Sequence, residues 1–178
     1  MPRLTSPDVR FHASFLEAMG EFATTGMDPD TLIAQEIEQY GEKWPDPAEF
    51  AAYVEMLRAE VTRPRRPEWV PMTTLWYVED DTFLGRLAIR HRLTPFLLER
   101  GGHIGYDVRP TARRRGHATA MLRRALLVCR DLGIDRVLVT CDTTNTGSRK
   151  VIEAGGGEFE DERGGKLRYW IRTGDRGV

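Results

Sequence analysis

A strand, a helix and a second strand follow one another between residues 103 and 141, and this run constrains the fold more than any other feature. His103–Val108 has the composition of a strand. After Pro110, apolar residues recur at helical spacing: Ala118, Met121, Leu122, Ala125, Leu126, Cys129 and Leu132. Gly133 stands where a helix stops, and the apolar Val137–Val139 run is typical of a strand buried on both faces. This order predicts two parallel strands joined by a helical crossover.

The remaining segments predict helices first and antiparallel strands around the crossover. Start signals and periodicity predict helices near residues 8–24, after Asp28-Pro29-Asp30, and after Pro45-Asp46-Pro47. A hairpin is predicted at 73–78 and 82–91, and a helical turn, a helix and two short strands at 96–99, 147–154, 158–161 and 167–172. We therefore expect one domain over residues 1–178, with a mixed α/β fold whose sheet is mostly antiparallel around a central parallel strand–helix–strand crossover.

Composition places the chain among ordinary globular proteins. Its 178 residues are 40% hydrophobic and 30% charged, which excludes wholesale disorder. The longest apolar run, Ala125–Cys129, is far shorter than a bilayer span, and no basic and apolar leader opens the sequence. Two cysteines, Cys129 and Cys141, provide neither a disulfide framework nor a zinc cluster. These features predict a cytoplasmic protein without a membrane segment or a metal site.

Charge is distributed unevenly along the chain. Residues 1–60 hold twelve acids against four bases, whereas residues 108–130 hold seven arginines and no acid. The arginines cluster where the strand passes into the helix, and a helix N-terminus presents unpaired N–H groups and a positive dipole end to anions. Gly116 permits close approach of the backbone. Because GxxxxGK[ST] and GxGxxG are both absent, the sequence predicts a phosphate-binding loop of another type; a solvated basic helix face is the plain alternative.

This loop resembles the signature of the GNAT superfamily of acyl-CoA-dependent N-acyltransferases, [QR]-x-x-G-x-[GA]. Arg113-x-x-Gly116-x-Ala118 matches the signature, and Gly105–Pro110 resembles the strand that precedes it in the family. Further along, Asn145-x-x-Ser148 resembles the second element of the fold. The resemblance covers about residues 70–173, the expected acyl-CoA-binding core, and the helical residues 1–66 correspond to the family's variable acceptor side.

The resemblance implies a specific site for coenzyme A. Main-chain N–H groups of residues 114–118, with Thr119, would hold the pyrophosphate, and the pantetheine arm would lie between splayed strands ending at Val108 and Cys141. Main-chain groups of residues 107–109 would pair with the pantetheine amides, and the N–H of Val108 or of its neighbour would stabilise an oxyanion. The implied binding residues are Asp107, Val108, Arg109, Arg113, Arg114, Arg115, Gly116, His117, Ala118, Thr119, Asn145 and Ser148.

Transfer to an amine needs a base, and His103 is the candidate. In this family a carboxylate often stands at the start of the strand before the loop, and here His103 occupies that place. An imidazole with an ordinary pKa near 6.5 suits proton transfer at neutral pH. His103 alternates with Gly105 and Asp107 on one strand face. Asp107 and Glu99 are the alternatives, and a packed, non-catalytic His103 is the structural interpretation.

The usual acid is missing from the sequence. Many relatives place a tyrosine seven residues after the position of Asn145, where it protonates the leaving thiolate, and this chain has Ile152 there. Water, unaided release, Tyr106 and Cys141 all stay open as replacements.

These observations predict an N-acetyltransferase that moves an acetyl group from acetyl-CoA, its acyl-donor substrate, to a primary amine by direct attack in a ternary complex. The acceptor is a small molecule or a peptide, and the sequence does not choose between them. The alternative is a domain of the same fold that senses acyl-CoA without turnover. Nucleic acid is disfavoured because no aromatic residue interleaves with the arginines of residues 108–130. A homodimer formed through sheet edges is a further expectation.

Overall fold

Two antiparallel sheets lie side by side and carry helices on both faces in the computed structural model, which describes residues 1–29 and 31–174. The predicted domain limits therefore include residue 30 and residues 175–178, which lie outside the described part. The strands are β1 (Arg3–Thr5), β2 (Met72–Glu79), β3 (Thr82–Arg90), β4 (Ile104–Val108), β5 (Arg136–Asp142), β6 (Glu158–Arg163) and β7 (Lys166–Arg172). The α-helices are α1 (His12–Thr24), α2 (Leu32–Tyr40), α3 (Pro47–Ala59), α4 (His117–Asp131) and α5 (Thr146–Ala154).

The strand order confirms the predicted architecture. One sheet has the order β1-β2-β3-β4 and the other β5-β7-β6, and every paired ladder within them is antiparallel. Helix α4 connects β4 to β5, so the strand–helix–strand crossover joins the two sheets. Strand β1 was not predicted, because three residues are too few to show a strand period. It pairs with the edge of β2, so the segment before residue 66 is not purely helical.

The first sheet separates two hydrophobic cores. On one face, Leu87 and Ile89 of β3 pack with α4, α5 and the second sheet. On the other face, Trp76 and Phe83 pack against α1–α3 through an aromatic cluster that includes Phe15. Full burial of each such side chain contributes about 1.5–3 kcal/mol to the free energy of folding. The helical layer is therefore held on the same face of the sheet as the side chains of Arg86, Ala88 and Arg90.

Helix α4 has the apolar face that the sequence predicts, with one difference at its C-terminal end. Met121, Leu122, Ala125 and Cys129 are buried. Leu132, predicted on the same face, is the C-cap residue and is exposed. The first predicted helix likewise starts later than expected, because residues 9–11 form a 3-10 turn capped by Asp8 before α1 begins.

Candidate functional site

Strands β4 and β5 meet at one end and separate at the other, which opens a cleft. The His103 N–H donates to the Leu138 carbonyl at 2.7 Å. Beyond that bond, the described residues show no main-chain hydrogen bond between the two strands. At the far end, Tyr106 of β4 faces Ser148 at the start of α5, which follows β5, with Oη and Oγ 2.7 Å apart. The strands therefore run in the same direction and splay towards their C-terminal ends, as predicted.

The register of β4 decides which main-chain groups face this cleft. The Arg90 N–H donates to His103 O, and the Arg109 N–H donates to Leu84 O. Because alternate residues of an antiparallel strand turn both polar main-chain groups to the same partner, the odd-numbered residues of this stretch pair with β3. The N–H and C=O groups of Tyr106 and Val108 consequently point away from β3, into the cleft.

This alternation corrects two predicted main-chain contacts. We expected residues 107–109 all to offer main-chain groups, but those of Asp107 and the N–H of Arg109 face β3, and the Arg109 carbonyl accepts the Ala112 N–H at 2.8 Å. Of the three, only Val108 has its main-chain groups on the cleft side. The Arg109 side chain also turns away, to Glu21 at 2.8 Å and Ser14 at 3.2 Å on α1. It ties the helical layer to the loop before α4. The main-chain groups of Tyr106 were not among the predicted contacts, and the strand period would have indicated them had the register been known.

The loop that leads into α4 leaves a row of main-chain donors open. The N–H groups of the six residues 114–119 have no acceptor among the described residues, and the first satisfied donor after them is Ala120, which bonds Gly116 O at 3.0 Å. Gly116 has a φ of 81° and Arg114 a φ of 63°, so the chain turns sharply and the N–H groups can converge. No atom lies within 4 Å of where a Gly116 Cβ would stand. We call these six groups the N–H row.

The N–H row opens onto a first cavity of about 620 Å³ between β4, α4 and α5. It is lined by Tyr106, Asp107, Val108, Ala112, Arg113, Arg114, Gly116, His117, Ala118, Thr119, Asn145, Gly147, Ser148 and Val151. The structure thus brings together ten of the twelve predicted binding residues; Arg109 and Arg115 do not line it. The N–H row at one end and the open main chain of β4 at the other fit an elongated ligand that carries phosphates and amides.

Asn145 caps a helix and also lines the first cavity. Its side-chain oxygen accepts the Ser148 N–H at 2.9 Å and caps α5. The oxygen is therefore occupied, and the amide nitrogen is the group left for a ligand. A cap of this kind contributes about 1 kcal/mol to helix stability, so replacing Asn145 would disturb the helix and the cavity together.

A second cavity of about 250 Å³ lies on the helical-layer side of β4. It shares Tyr106, Asp107, Asn145 and Ser148 with the first cavity, so the two meet at the C-terminal end of β4. Arg86, Ala88 and Arg90 on β3 and Gly105 on β4 line it. A molecule in the second cavity would therefore meet the end of a ligand held in the first.

Asp107 is the carboxylate at this meeting point. It lines both cavities, and no hydrogen bond from its side chain is found among the described residues. Burial raises the pKa of the Asp107 carboxyl, although the nearby charge of Arg86 opposes the rise. Arg86 itself is bonded to the buried Glu36 of α2, so its charge is already largely compensated. A carboxylate that is unbonded and has a raised pKa is a suitable proton acceptor.

The geometry does not favour the prediction that His103 is the base. His103 is 6% exposed and lines neither cavity. Its Nδ1 accepts the Leu138 N–H at 2.9 Å, and its main-chain N–H bonds the Leu138 carbonyl. Burial, with the charge of Arg90, lowers the pKa of His103 to about 4. The neutral imidazole links β4 to β5 at the point where the two strands meet. This agrees with the alternative in which His103 is packed and not catalytic.

The structure shows the surroundings of Ile152 and of the two side chains that could replace the missing acid. Ile152 is completely buried in the core between α4, α5 and the sheets. Tyr106 is the hydroxyl that borders both cavities, and burial raises its pKa to about 12, so it keeps its proton at neutral pH. Cys141 lines only the second cavity, and burial raises the pKa of its thiol. The geometry favours Tyr106 of the alternatives left open by the sequence.

Comparison with known proteins agrees with this architecture. A family model described as an acetyltransferase (GNAT) domain matches residues 24–158. Mycobacterium smegmatis RimJ in complex with CoA-disulfide is 23% identical over 96% of this chain and 81% of its own, with a TM-score of 0.64. The PaiA N-acetyltransferase of Thermoplasma acidophilum in complex with coenzyme A is 12% identical over 97% and 99%, with a TM-score of 0.60. An acetyltransferase of the GNAT family from Streptococcus pneumoniae is 13% identical over 98% and 100%, with a TM-score of 0.62.

These structures share the fold with this chain. No curated protein matches the sequence. Within residues 1–29 and 31–174, no helix is both long and apolar enough to cross a membrane. The same residues include no group of three or more His, Cys, Asp or Glu side chains placed to hold a metal ion.

Proposed function

This chain belongs to the GNAT acetyltransferase family, and from that premise we propose that it transfers an acetyl group from acetyl-CoA to a primary amine by direct attack in a ternary complex. One observation carries the proposal. The N–H row at the head of α4 opens onto a cavity that leads to Asp107 and Tyr106. An anion site and a pair of proton-transfer groups therefore stand at opposite ends of one channel.

The N–H row would hold the pyrophosphate of the acyl donor. Main-chain N–H groups at a helix start bind phosphate through hydrogen bonds and the helix dipole together. Arg113 and Arg114 line the same cavity and add positive charge. The N–H and C=O groups of Tyr106 and the N–H of Val108 would align the pantetheine amides; the Val108 carbonyl already accepts from Arg113 Nε at 3.1 Å. The Asn145 amide nitrogen would bond the arm from the other side. Acetyl-CoA supplies the acetyl group as a thioester.

Asp107 would accept a proton from the amine. An ammonium group cannot attack, so the nitrogen must be neutral when its lone pair forms the new C–N bond. One proton then leaves nitrogen for an Asp107 carboxylate oxygen, directly or through a water. The raised pKa of Asp107 makes it a stronger base than an ordinary aspartate.

Tyr106 would donate a proton to the leaving sulfur. As the C–S bond breaks, its electron pair stays on sulfur, and the Tyr106 hydroxyl supplies the proton that completes the thiol. Ser148, 2.7 Å from that hydroxyl, is placed to return a proton from solvent. An acceptor that arrives as an ammonium loses one proton to solvent before it attacks and a second to Asp107 as the amide forms. One proton reaches sulfur, so the transfer releases one proton overall.

The sensor alternative deserves a test because the family's tyrosine is replaced by a buried Ile152. A sensor would bind acetyl-CoA and release no thiol, whereas an enzyme would release one equivalent of thiol for each amine acetylated. We would follow thiol release from acetyl-CoA with a panel of primary amines and confirm the amide product by mass spectrometry. Tight binding of acetyl-CoA with no amine-dependent thiol release would contradict the enzymatic proposal and support the sensor.

A further inference from the structure

Arg90 differs from Arg86, its neighbour on the same face of β3, because no carboxylate is bonded to its guanidinium within the described residues. Its Nη1 donates to the carbonyl oxygens of Gly101 at 3.2 Å and Gly102 at 3.3 Å, and these are its only hydrogen bonds within the described residues. No ion pair of Arg90 is found there either. Two neutral carbonyls do not compensate its charge, and the Asp107 carboxylate acts on it only at a distance. No acceptor for Nε or Nη2 is found in the same part of the chain.

Two neighbouring arginines that have a structural role are each bonded to a carboxylate. Arg86, four residues earlier on the same strand face, is bonded to Glu36. Arg65 bridges Glu36 at 2.7 Å and also bonds Glu60. Burial and the adjacent charge of Arg86 lower the pKa of Arg90, and the charge of Asp107 opposes this change. An arginine that lacks a carboxylate in such a setting is a candidate to receive one from a ligand.

The surface between Asp107 and Arg90 is an open groove. Ala88 on β3 lies opposite Gly105 on β4, and both residues are small. A Cβ added at Gly105 would stand 3.8 Å from Arg90 Nη1, so the guanidinium reaches back along the strand to the level of Gly105. Gly105 and Asp107 are two residues apart, which is about 7 Å along a strand. That spacing suits an amine at Asp107 and a carboxylate at Arg90 within one small molecule.

The other ionised groups around the second cavity do not change this arrangement, with negative charge at Asp107 and positive charge at Arg90. Asp142 is paired with Lys166 at 2.5 Å, and Arg86 is compensated by Glu36. Arg100 adds a further positive charge, and Asp28 a negative one, to the lining. A small polycation would meet Arg90 and Arg100 directly, so the cavity disfavours polyamines.

A third cavity continues from the second beyond Arg90. Its volume is about 310 Å³, and it shares Leu32 and Arg90 with the second cavity. Its walls are mainly apolar or aromatic and include Trp69, Met72 and Phe96. The Phe96 side chain is 67% exposed. Such a space fits an apolar side chain, whose burial would stabilise the bound acceptor.

We infer that the acceptor is a free amino acid with an apolar side chain, whose amine lies at Asp107, whose carboxylate pairs with Arg90 and whose side chain enters the third cavity. The inference rests on the proposed function and adds the substrate class to it. Arg90 is then a specificity-determining residue that binds the acceptor and does not transfer protons.

The test compares acids with their amides. Acetylation of L-phenylalanine, L-methionine and L-leucine would be measured against that of their carboxamides and of spermidine. Removing a charge-assisted contact costs about a factor of 10 to 100. We therefore expect kcat/KM for at least one acid to exceed that for its amide by about 10- to 100-fold. Arg90→Met should remove this preference by raising KM for the acid, while the amide changes little.

Two controls keep the result interpretable. Arg92→Met removes an exposed arginine that lines none of the three cavities and should leave the preference intact. Acetyl-CoA affinity and the thermal midpoint report whether Arg90→Met still folds, and the acid-to-amide comparison in the unaltered protein needs no variant at all. If amides or spermidine are acetylated as well as the acids, or if acetyl-CoA binds and none of the three acids is acetylated, the inference is overturned. Failure of acetyl-CoA to bind would instead contradict the proposed function.

Discussion

The two ends of the channel are built differently. At the head of α4, the proposed anion site consists of main-chain N–H groups, which any residue except proline can provide, held in place by one glycine turn. At the far end, the proposed chemistry depends on the side chains of Asp107, Tyr106 and Arg90, which come from different strands. We infer that the first end tolerates side-chain change but not a change of backbone shape, and that the second end has the opposite sensitivity.

The largest expected effect lies at the side-chain end. Asp107→Asn keeps the size of the side chain and removes the base, so kcat should fall by about 100- to 10,000-fold. Acetyl-CoA affinity should change little, because the N–H row is untouched. In the unaltered protein, activity should rise with pH as the Asp107 carboxyl, whose pKa is raised, loses its proton. Steady-state rates across pH would check this; an Asp107→Asn enzyme with the same rate and the same pH profile would exclude Asp107 as the base.

The backbone end should respond to a change of shape. Gly116 has a φ of 81°, where a β-branched residue is strained, and a Gly116→Val side chain would project into the open space before the N–H row. We expect acetyl-CoA affinity to fall by about 100-fold, as measured by calorimetry. Gly156→Val is the matched control, because Gly156 also has a positive φ of 88° and open space around it but lines no cavity described here. Equal loss in both variants would show that general instability caused the effect.

The sequence predicts the backbone end from local information. Arg113, Gly116 and Ala118 lie within six residues, and the helix behind them has a clear apolar period. The side-chain end depends on which strand β4 pairs with and what covers its face. His103 and Asp107 occupy the same face and cannot be ranked from sequence, since the difference between them is the contact of His103 with Leu138. The same reason hid Arg90: its lack of an acid is visible only when its neighbours in space are known.

His103 gives a prediction of intermediate size, on stability. Its pKa is about 4 in the folded protein and about 6.5 when unfolded. The unfolded state therefore binds the proton first as pH falls, and the folded state loses stability between pH 6.5 and pH 4. From this residue alone, the free energy of unfolding should be about 2 kcal/mol lower at pH 5 than at pH 7.

His103→Asn would separate this effect from other titrating groups. The asparagine oxygen can still accept the Leu138 N–H, but it does not titrate, so the pH dependence of urea unfolding should become shallower. The pH profile of turnover should keep its shape. A variant that flattens the activity profile and leaves the stability profile unchanged would restore His103 as the base.

The smallest effect is expected at Tyr106. Thiolate is a reasonable leaving group without assistance, so Tyr106→Phe should lower kcat by only about 10-fold, less than a typical general acid. Acetyl-CoA affinity should be preserved. Tyr40→Phe, which removes a hydroxyl that contacts Met56 away from the cavities, is the control for loss of a tyrosine hydroxyl. An unchanged kcat in Tyr106→Phe would show that water, and not Tyr106, protonates the leaving sulfur.

Calorimetry with acyl donors that lack one part of acetyl-CoA tests the central claim most directly. The claim is that the N–H row binds the pyrophosphate and little else of the donor. The unaltered protein would be titrated with acetyl-CoA, with its form lacking the 3′-phosphate, and with acetyl-pantetheine, which lacks the pyrophosphate and nucleotide. We predict that loss of the 3′-phosphate changes the affinity little and that acetyl-pantetheine binds at least about 100-fold more weakly. Equal affinity for acetyl-CoA and acetyl-pantetheine would contradict the account, because the N–H row would then have no part in binding the donor.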